Sequence, residues 1–291
     1  MIPLLTPFPF LDQAPPVLAI PDDGKHHTLT GNFRLHKDFH SNFLPDDRDV
    51  LIYLPPNYES APDRRYPVLY LHDGQNLFDG ATSFVPGQEW CVDETAQDLI
   101  NRGRIEPLIV VGVYNTGTRR IDEYTPTRDR RSGHGGRADL YARMLIEELK
   151  PFVDNHYRTR SGASDTGLGG SSLGGLTTLY IGLKRSDTFG KLAVLSPSVW
   201  WDRRAIIRTV RGLRSKPTQR IWLDTGTAEG SKPERTLDDV RKLRDAMVRK
   251  GWNTSRDLAY VEAQGAVHSE PAWAARVGSM LEFLFPAAPH K

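Results

Sequence analysis

Short, nearly unbroken apolar runs recur along this chain and alternate with longer stretches of helical spacing. Tyr66-Pro-Val-Leu-Tyr-Leu-His72 and Pro107-Leu-Ile-Val-Val-Gly-Val-Tyr114 are the clearest runs. A strand buried on both faces of a parallel sheet has no solvent side, so it reads as a continuous apolar segment rather than as an alternation. Between these two runs, Trp90 to Asn101 has helical character. The succession continues with a helix over Ala138 to Val153, a strand leading into Gly170, a helix after Ser172 and a strand at Lys191 to Leu195. Arg220 to Asp224 then reads as a strand, Thr236 to Lys250 as a helix, Leu258 to Glu262 as a strand and Pro271 to Phe285 as a closing helix. Ahead of the first run, Asn32 to Asp38 and Asp49 to Leu54 have strand character, and Pro55-Pro56 ends the second.

Strands alternating with helices predict a mostly parallel sheet covered on both faces, and the leading strand pair predicts an antiparallel edge. The expected fold class is therefore α/β, a three-layer sandwich. Residues 1–30 read as an irregular, proline-rich arm, and 31–287 as one domain. Asn115 to Arg137, rich in Gly, Thr and Arg, lacks periodicity, and a loop of that length inside a compact domain is expected to rim a site.

Charge and cysteine content narrow the partners. The 291 residues carry 38 basic and 36 acidic side chains, for a net charge of +2, without a long basic run. Nucleic acid is not the expected partner. The densest positive patches, Arg119-Arg120 and Arg128 to Arg131, are candidate contacts for an anionic substrate, against the commoner role of solvated loop charges. The lone Cys91 can form neither an internal disulfide nor a paired-cysteine metal site, and no metal or cofactor is expected. Met1 to Phe10 is apolar but lacks a basic start and holds three prolines, against a signal peptide. No segment reaches the roughly 18 consecutive apolar residues of a membrane span. The cytoplasm is the expected location.

The chemistry centres on Gly170-Ser171-Ser172-Leu173-Gly174, a Gly-x-Ser-x-Gly pattern with a strand-like lead-in and a helix-like continuation. A tight strand-to-helix turn pushes the central hydroxyl out of the sheet, and flanking glycines spare it collisions. Ser172 is the expected nucleophile. A serine hydroxyl is a poor nucleophile at neutral pH, so it needs a base and a carboxylate behind that base. Of nine histidines, His268 stands in a short loop between the last strand and the last helix, downstream of the serine. Nucleophile, acid, histidine is the chain order of α/β-hydrolases. The acid is sought in Leu223-Asp224-Thr-Gly-Thr-Ala-Glu229-Gly230, where Asp224 and Glu229 compete. Glu229, past the Gly226 turn, is preferred because a loop can bend it toward His268. Charge developing on the substrate carbonyl needs donors already in place, each worth about 3 kcal/mol. The Leu173 amide is one, and the Gly74 or Gln75 amide in His72-Asp-Gly-Gln-Asn76 is the other. His72 shapes that loop rather than acting as base. Trp200 and Trp201 follow the next strand, near the carboxyl edge where open α/β sheets bind ligands, and are expected to wall the pocket, with Arg119 and Arg120 as further substrate contacts.

Tyr70-Leu-His-Asp-Gly-Gln75, Glu123-Tyr-Thr-Pro126, Gly169 to Gly175, Leu195-Ser-Pro-Ser-Val-Trp-Trp201 and Val267-His-Ser-Glu270 together resemble the esterase family of enterochelin esterases, esterase D, feruloyl and acetylxylan esterases and mycolyltransferases. The resemblance spans about residues 30 to 285 and is closest to the enterochelin-esterase-like branch. It implies an α/β-hydrolase fold, no metal, and a Ser172 and His268 pair; at the acid, members carry Asp or Glu, and some siderophore esterases work with a dyad. The expected activity is serine carboxylic-ester hydrolysis through an acyl-enzyme on a small-molecule ester: siderophore, aryl or feruloyl, or acetylated sugar. Acyl transfer by the same residues and a non-catalytic binding module are the alternatives.

Overall fold

The protein is described by a computed structural model over residues 23–287; of the proline-rich arm expected at 1–30, residues 1–22 lie outside the described residues. Eight strands form one sheet: β1 (Asn32–Phe39), β2 (Arg48–Leu54), β3 (Val68–His72), β4 (Ile109–Val113), β5 (Thr166–Ser171), β6 (Lys191–Leu195), β7 (Arg220–Gly226) and β8 (Leu258–Ala263). Their spatial order is β1-β2-β4-β3-β5-β6-β7-β8. β2 runs antiparallel to both its neighbours, and every other pairing is parallel. This is the α/β sandwich with an antiparallel edge that the alternation predicts.

Because neighbouring side chains on a strand point to opposite faces, the continuous apolar runs feed two separate cores. Val68, Tyr70, Val111, Leu168 and Val194 pack on one side, and Leu69, Leu71, Val110, Ala193 and Leu195 on the other. The helices covering these faces are α1 (Val92–Asn101), the short α2 (Arg120–Glu123), α3 (Ala138–Arg143), α4 (Lys150–His156), α5 (Leu173–Lys184), α6 (Trp201–Gly212), α7 (Pro233–Lys250) and α8 (Glu270–Leu284).

Three differences from the sequence reading have physical causes. The helix expected over Ala138 to Val153 is α3 and α4 joined by a π-helical turn at Met144–Leu149. Such a turn bonds i→i+5 while keeping Met144, Leu145 and Leu149 buried, and it involves no glycine or proline that would mark it in the sequence. α6 was not anticipated, although Trp201, Ala205, Ile206 and Val210 carry a helical signal and are buried. The segment Asn115 to Arg137, expected without regular structure, holds a 3-10 turn at Gly117–Arg119 and α2, and is anchored: Glu123 pairs with buried Arg48 at 2.9 Å, and the Tyr124 ring lies 5.2 Å from His72 and 5.0 Å from Tyr141.

Candidate active site

The carboxyl ends of β3, β5, β6, β7 and β8 bring the expected residues to one edge of the sheet. Ser172 sits between β5 and α5 with φ 57° and ψ −119°, a conformation that costs a non-glycine residue about 1–3 kcal/mol. The surroundings enforce it. Its amide donates to Leu195 O at 3.1 Å, and its carbonyl accepts the Ser198 amide at 2.9 Å and the Leu176 amide at 3.0 Å. The hydroxyl is 3.3 Å from that of Ser198; among the described residues no hydrogen bond joins it to His268. Leu173 opens α5, so its amide has no carbonyl one turn back to bond and is left available.

The loop after β3 is shaped by packing and charge. Asp73 takes a left-handed conformation (φ 58°), and Gly74 then begins a single 3-10 turn to Asn76. A β-carbon at Gly74 would lie 2.5 Å from the carbonyl carbon of Gly112, so only glycine lets this loop lie against β4. Arg120 donates twice to the Asp73 carboxylate, at 2.7 Å each, and Asn115 Nδ2 donates at 2.7 Å. The Thr82 hydroxyl holds the Gln75 carbonyl at 2.8 Å. His72 is buried with Nδ1 2.9 Å from the Tyr141 hydroxyl, and burial pushes its pKa down to about 3, so it stays neutral and structural.

His268 and Glu229 meet where two loops are laced together. His268 Nδ1 lies 2.8 Å from Glu229 Oε2. The Thr227 and Ala228 amides donate to Ala263 O and Ala266 O, both at 3.0 Å. A β-carbon at Gly226 would fall 2.2 Å from Ala266 O, so a side chain there would force the loops apart. Glu229 Oε1 accepts the Ser196 hydroxyl at 2.5 Å and the Gly226 amide at 2.6 Å. Burial alone would raise its pKa, but the bonds from His268, Ser196 and Gly226 together hold it below the ordinary carboxylate value. Asp224, the competing acid, turns elsewhere. It is fully buried, pairs with Arg276 Nε at 3.1 Å, and accepts the Trp222 indole at 2.7 Å and the Ser196 amide at 3.1 Å. Burial pushes its pKa up against those donors.

Four supporting residues escape the sequence reading. Ser196 is the junction: its hydroxyl accepts Trp273 Nε1 at 3.0 Å and Arg276 Nη2 at 2.9 Å while donating to Glu229. The Trp273 ring meets His268 edge-on at 4.9 Å. Ser198 touches Ser172. Two signals were available: Ser196 and Ser198 stand in the quoted Leu195 to Trp201 motif, and Arg276 is a charged residue on the apolar stripe of α8, which needs a buried partner.

The expected substrate contacts need correction. Trp201 is buried and donates its indole N–H to Thr127 O at 2.9 Å, so it pins the loop instead of walling a pocket. Arg120 is committed to Asp73, and Arg119 pairs with Asp46. Trp200 alone of the four stays exposed without such a tie, at 59%. Among the described residues, Glu89, Cys91 and Glu94 bring potential metal-ligand atoms within 4.8 Å of one another. Burial pushes the Cys91 thiol up to about 11 and raises Glu89, which disfavours the anionic forms in which these two would ligate a metal.

The chain has known relatives in sequence and in fold. The chain is 26% identical over 249 residues to the uncharacterized protein YbbA of Bacillus subtilis, covering 82% of this chain and 93% of that one. It is 26% identical over 268 residues to the ferri-bacillibactin esterase BesA of the same organism, covering 84% and 88%. The crystal structure of the BES protein from Bacillus cereus superposes with a TM-score of 0.70 at 22% identity, over 90% of this chain and 97% of that one. No described helix is long and apolar enough to cross a membrane. Residues 41–284 match the family described as "Putative esterase", and the chain belongs to it: an enterochelin-esterase-like carboxylic-ester hydrolase with the α/β-hydrolase fold.

Proposed function

We propose that Ser172 is the nucleophile of a serine esterase whose base is His268 and whose orienting acid is Glu229. The observation that carries this reading is the 2.8 Å contact of His268 Nδ1 with the buried Glu229 carboxylate, together with a serine held at a strand-to-helix elbow on the same carboxyl edge of the sheet. That contact fixes the proton on Nδ1 and leaves Nε2 to act as base. When the Ser172 hydroxyl leaves Ser198 for His268, Nε2 takes its proton as Oγ attacks the ester carbonyl. The carbonyl oxygen, now negative, is met by the Leu173 amide and by the Gly74 or Gln75 amide. Collapse of the tetrahedral intermediate expels the alcohol, which takes the proton from His268. Water then cleaves the acyl-enzyme by the same steps in reverse.

The substrate is a small-molecule ester, and the name of BesA, a ferri-bacillibactin esterase, supports an ester of that kind over a sugar acetate. A lone thiol with no disulfide partner supports action in the cytoplasm. The test is hydrolysis of p-nitrophenyl butyrate together with labelling by a fluorophosphonate. Ser172→Ala is expected to abolish both while leaving the melting temperature unchanged. Undiminished turnover in that variant would overturn the assignment.

A further inference from the structure

Ser196, buried at the carboxyl end of the sheet, has a hydroxyl that can point only one way. It follows β6 directly with φ 40°, in the left-handed region, where a non-glycine residue carries a conformational cost. Its amide donates to the Asp224 carbonyl at 3.0 Å and lies 3.1 Å from Asp224 Oδ1, so the residue that lost the competition for acid is the one that holds it in place. A serine hydroxyl has one proton and two lone pairs. Trp273 Nε1 at 3.0 Å and Arg276 Nη2 at 2.9 Å occupy the lone pairs, and neither an indole N–H nor a guanidinium can accept a hydrogen bond in return. The proton is left one destination, Glu229 Oε1 at 2.5 Å.

The consequence falls on the carboxylate. Glu229 Oε1 takes Ser196 and the Gly226 amide at 2.6 Å, which leaves Oε2 to His268 Nδ1 at 2.8 Å. The charged and titratable groups facing Glu229 among the described residues are His268, from the loop before α8, and Arg276, from α8 itself. Arg276 stays 3.9 Å from Glu229 Oε1, because its Nε lies 3.1 Å from Asp224 and its Nη2 is given to Ser196. A guanidinium bonded directly to Glu229 would offset the charge that steadies a protonated His268. A neutral hydroxyl supplies the bond and leaves the charge.

We propose that Ser196 is a positioning residue for ester hydrolysis: its hydroxyl, aimed by Trp273 and Arg276 and anchored by Asp224, fixes the Glu229 carboxylate in the orientation that serves His268. That role rests on the reading of His268 as base and Glu229 as its orienting acid. The test compares Ser196→Ala, Glu229→Gln and the double variant in steady-state hydrolysis of p-nitrophenyl butyrate, with the low-field proton resonance of His268 Nδ1 recorded for the wild type and Ser196→Ala. Ser196→Ala is expected to lower kcat about 10- to 100-fold with KM unchanged, the range of one hydrogen bond to a charged group, and to displace the Nδ1 resonance. In the Glu229→Gln background the same substitution should cost less than about threefold, because the carboxylate it acts through is gone. A merely structural role would cost the same factor in both backgrounds and leave the resonance in place. Thermal melting of each variant checks its fold, and Ser196→Gly, which takes φ 40° without strain, carries the same comparison if the alanine variant does not fold. Undiminished kcat in the folded Ser196 variant, or an equal loss in both backgrounds, overturns the proposal and leaves the Glu229 reading standing. If instead Glu229→Gln keeps kcat within about tenfold, the acid assignment fails, and the route through which Ser196 acts fails with it.

Discussion

Glu229 under His268 and Asp93 in α1 are both buried, both hydrogen-bonded, and opposite in acidity. Glu229 is held below the ordinary carboxylate value, whereas Asp93 is pushed up to about 9. Burial is the leading influence on each, so the neighbours decide. Glu229 collects the His268 ring, the Ser196 hydroxyl and the Gly226 amide, with Arg276 at 3.9 Å. Asp93 is buried beside the Glu94 carboxyl, which raises it further, and accepts one strong bond, the Thr30 amide at 2.6 Å. Around it, Asp93 Oδ1, Glu94 Oε2 and Glu89 Oε2 are buried without a partner, and no described cation pairs with the group. This second cluster instead ties down the segment before β1, through Thr28 to Asp79 and Glu89 and His27 to Asp79 at 2.7 Å. A buried acid can orient a base only where donors outweigh desolvation; elsewhere it keeps a proton and serves as a structural clasp.

That contrast can be broken at several points, the largest effect first. Glu229→Gln is expected to lower kcat for p-nitrophenyl butyrate by about 10⁴-fold with the melting temperature nearly retained. A loss below tenfold, measured in steady-state assays, would mean His268 acts without its carboxylate. Arg276→Met strands Asp224 without its cation and should cost about 3–5 kcal/mol in urea unfolding, since an uncompensated buried charge is expensive; a cost under about 1 kcal/mol would show Asp224 to be satisfied by Trp222 and Ser196 alone. For Asp93 the sign follows from a folded pKa above the unfolded 3.8: its stabilisation is complete below 3.8 and is lost as pH rises toward about 9. Asp93→Asn should therefore match the wild type near pH 4 and exceed it by about 1–2 kcal/mol at pH 9. Melting curves that stay parallel across that range would remove the proton from the clasp. Glu229 has the reverse sign and the smallest effect. Its folded pKa is depressed, so its stabilising contribution is present above the unfolded 4.5 and is lost as pH falls through the folded value. The stability gap between wild type and Glu229→Gln should narrow only in that acid range, and a gap that instead narrows toward pH 8 would contradict the depressed value.

The sheet was legible, and the residues proposed for the site could be named from the sequence, because their signals are local. Apolar runs mark β3 and β4, a five-residue pattern marks Ser172, and position in the alternation singles out His268 and the Glu229 loop. What was illegible depends on partners remote in sequence. Arg120 reads as a free surface cation until Asp73, 47 residues earlier, is seen against it. Ser196 and Arg276, 80 residues apart, make one network beneath Glu229 that no local window contains. Trp200 and Trp201 are adjacent and chemically identical, yet Thr127 takes one indole and leaves the other in solvent.

The strand order also sets how this protein must fold. β3 lies between β4 and β5, and pairing Val68 with Thr166 closes a loop of nearly one hundred residues, while the Asn76 to Glu270 hydrogen bond spans 194. Closing such long loops is entropically unfavourable before any contact rewards it, and chains dominated by distant pairings fold slowly. Every proposed catalytic group hangs from those late contacts. On dilution from denaturant, helical circular dichroism should return first and esterase activity only with the slowest phase, because the site is complete only when the sheet is.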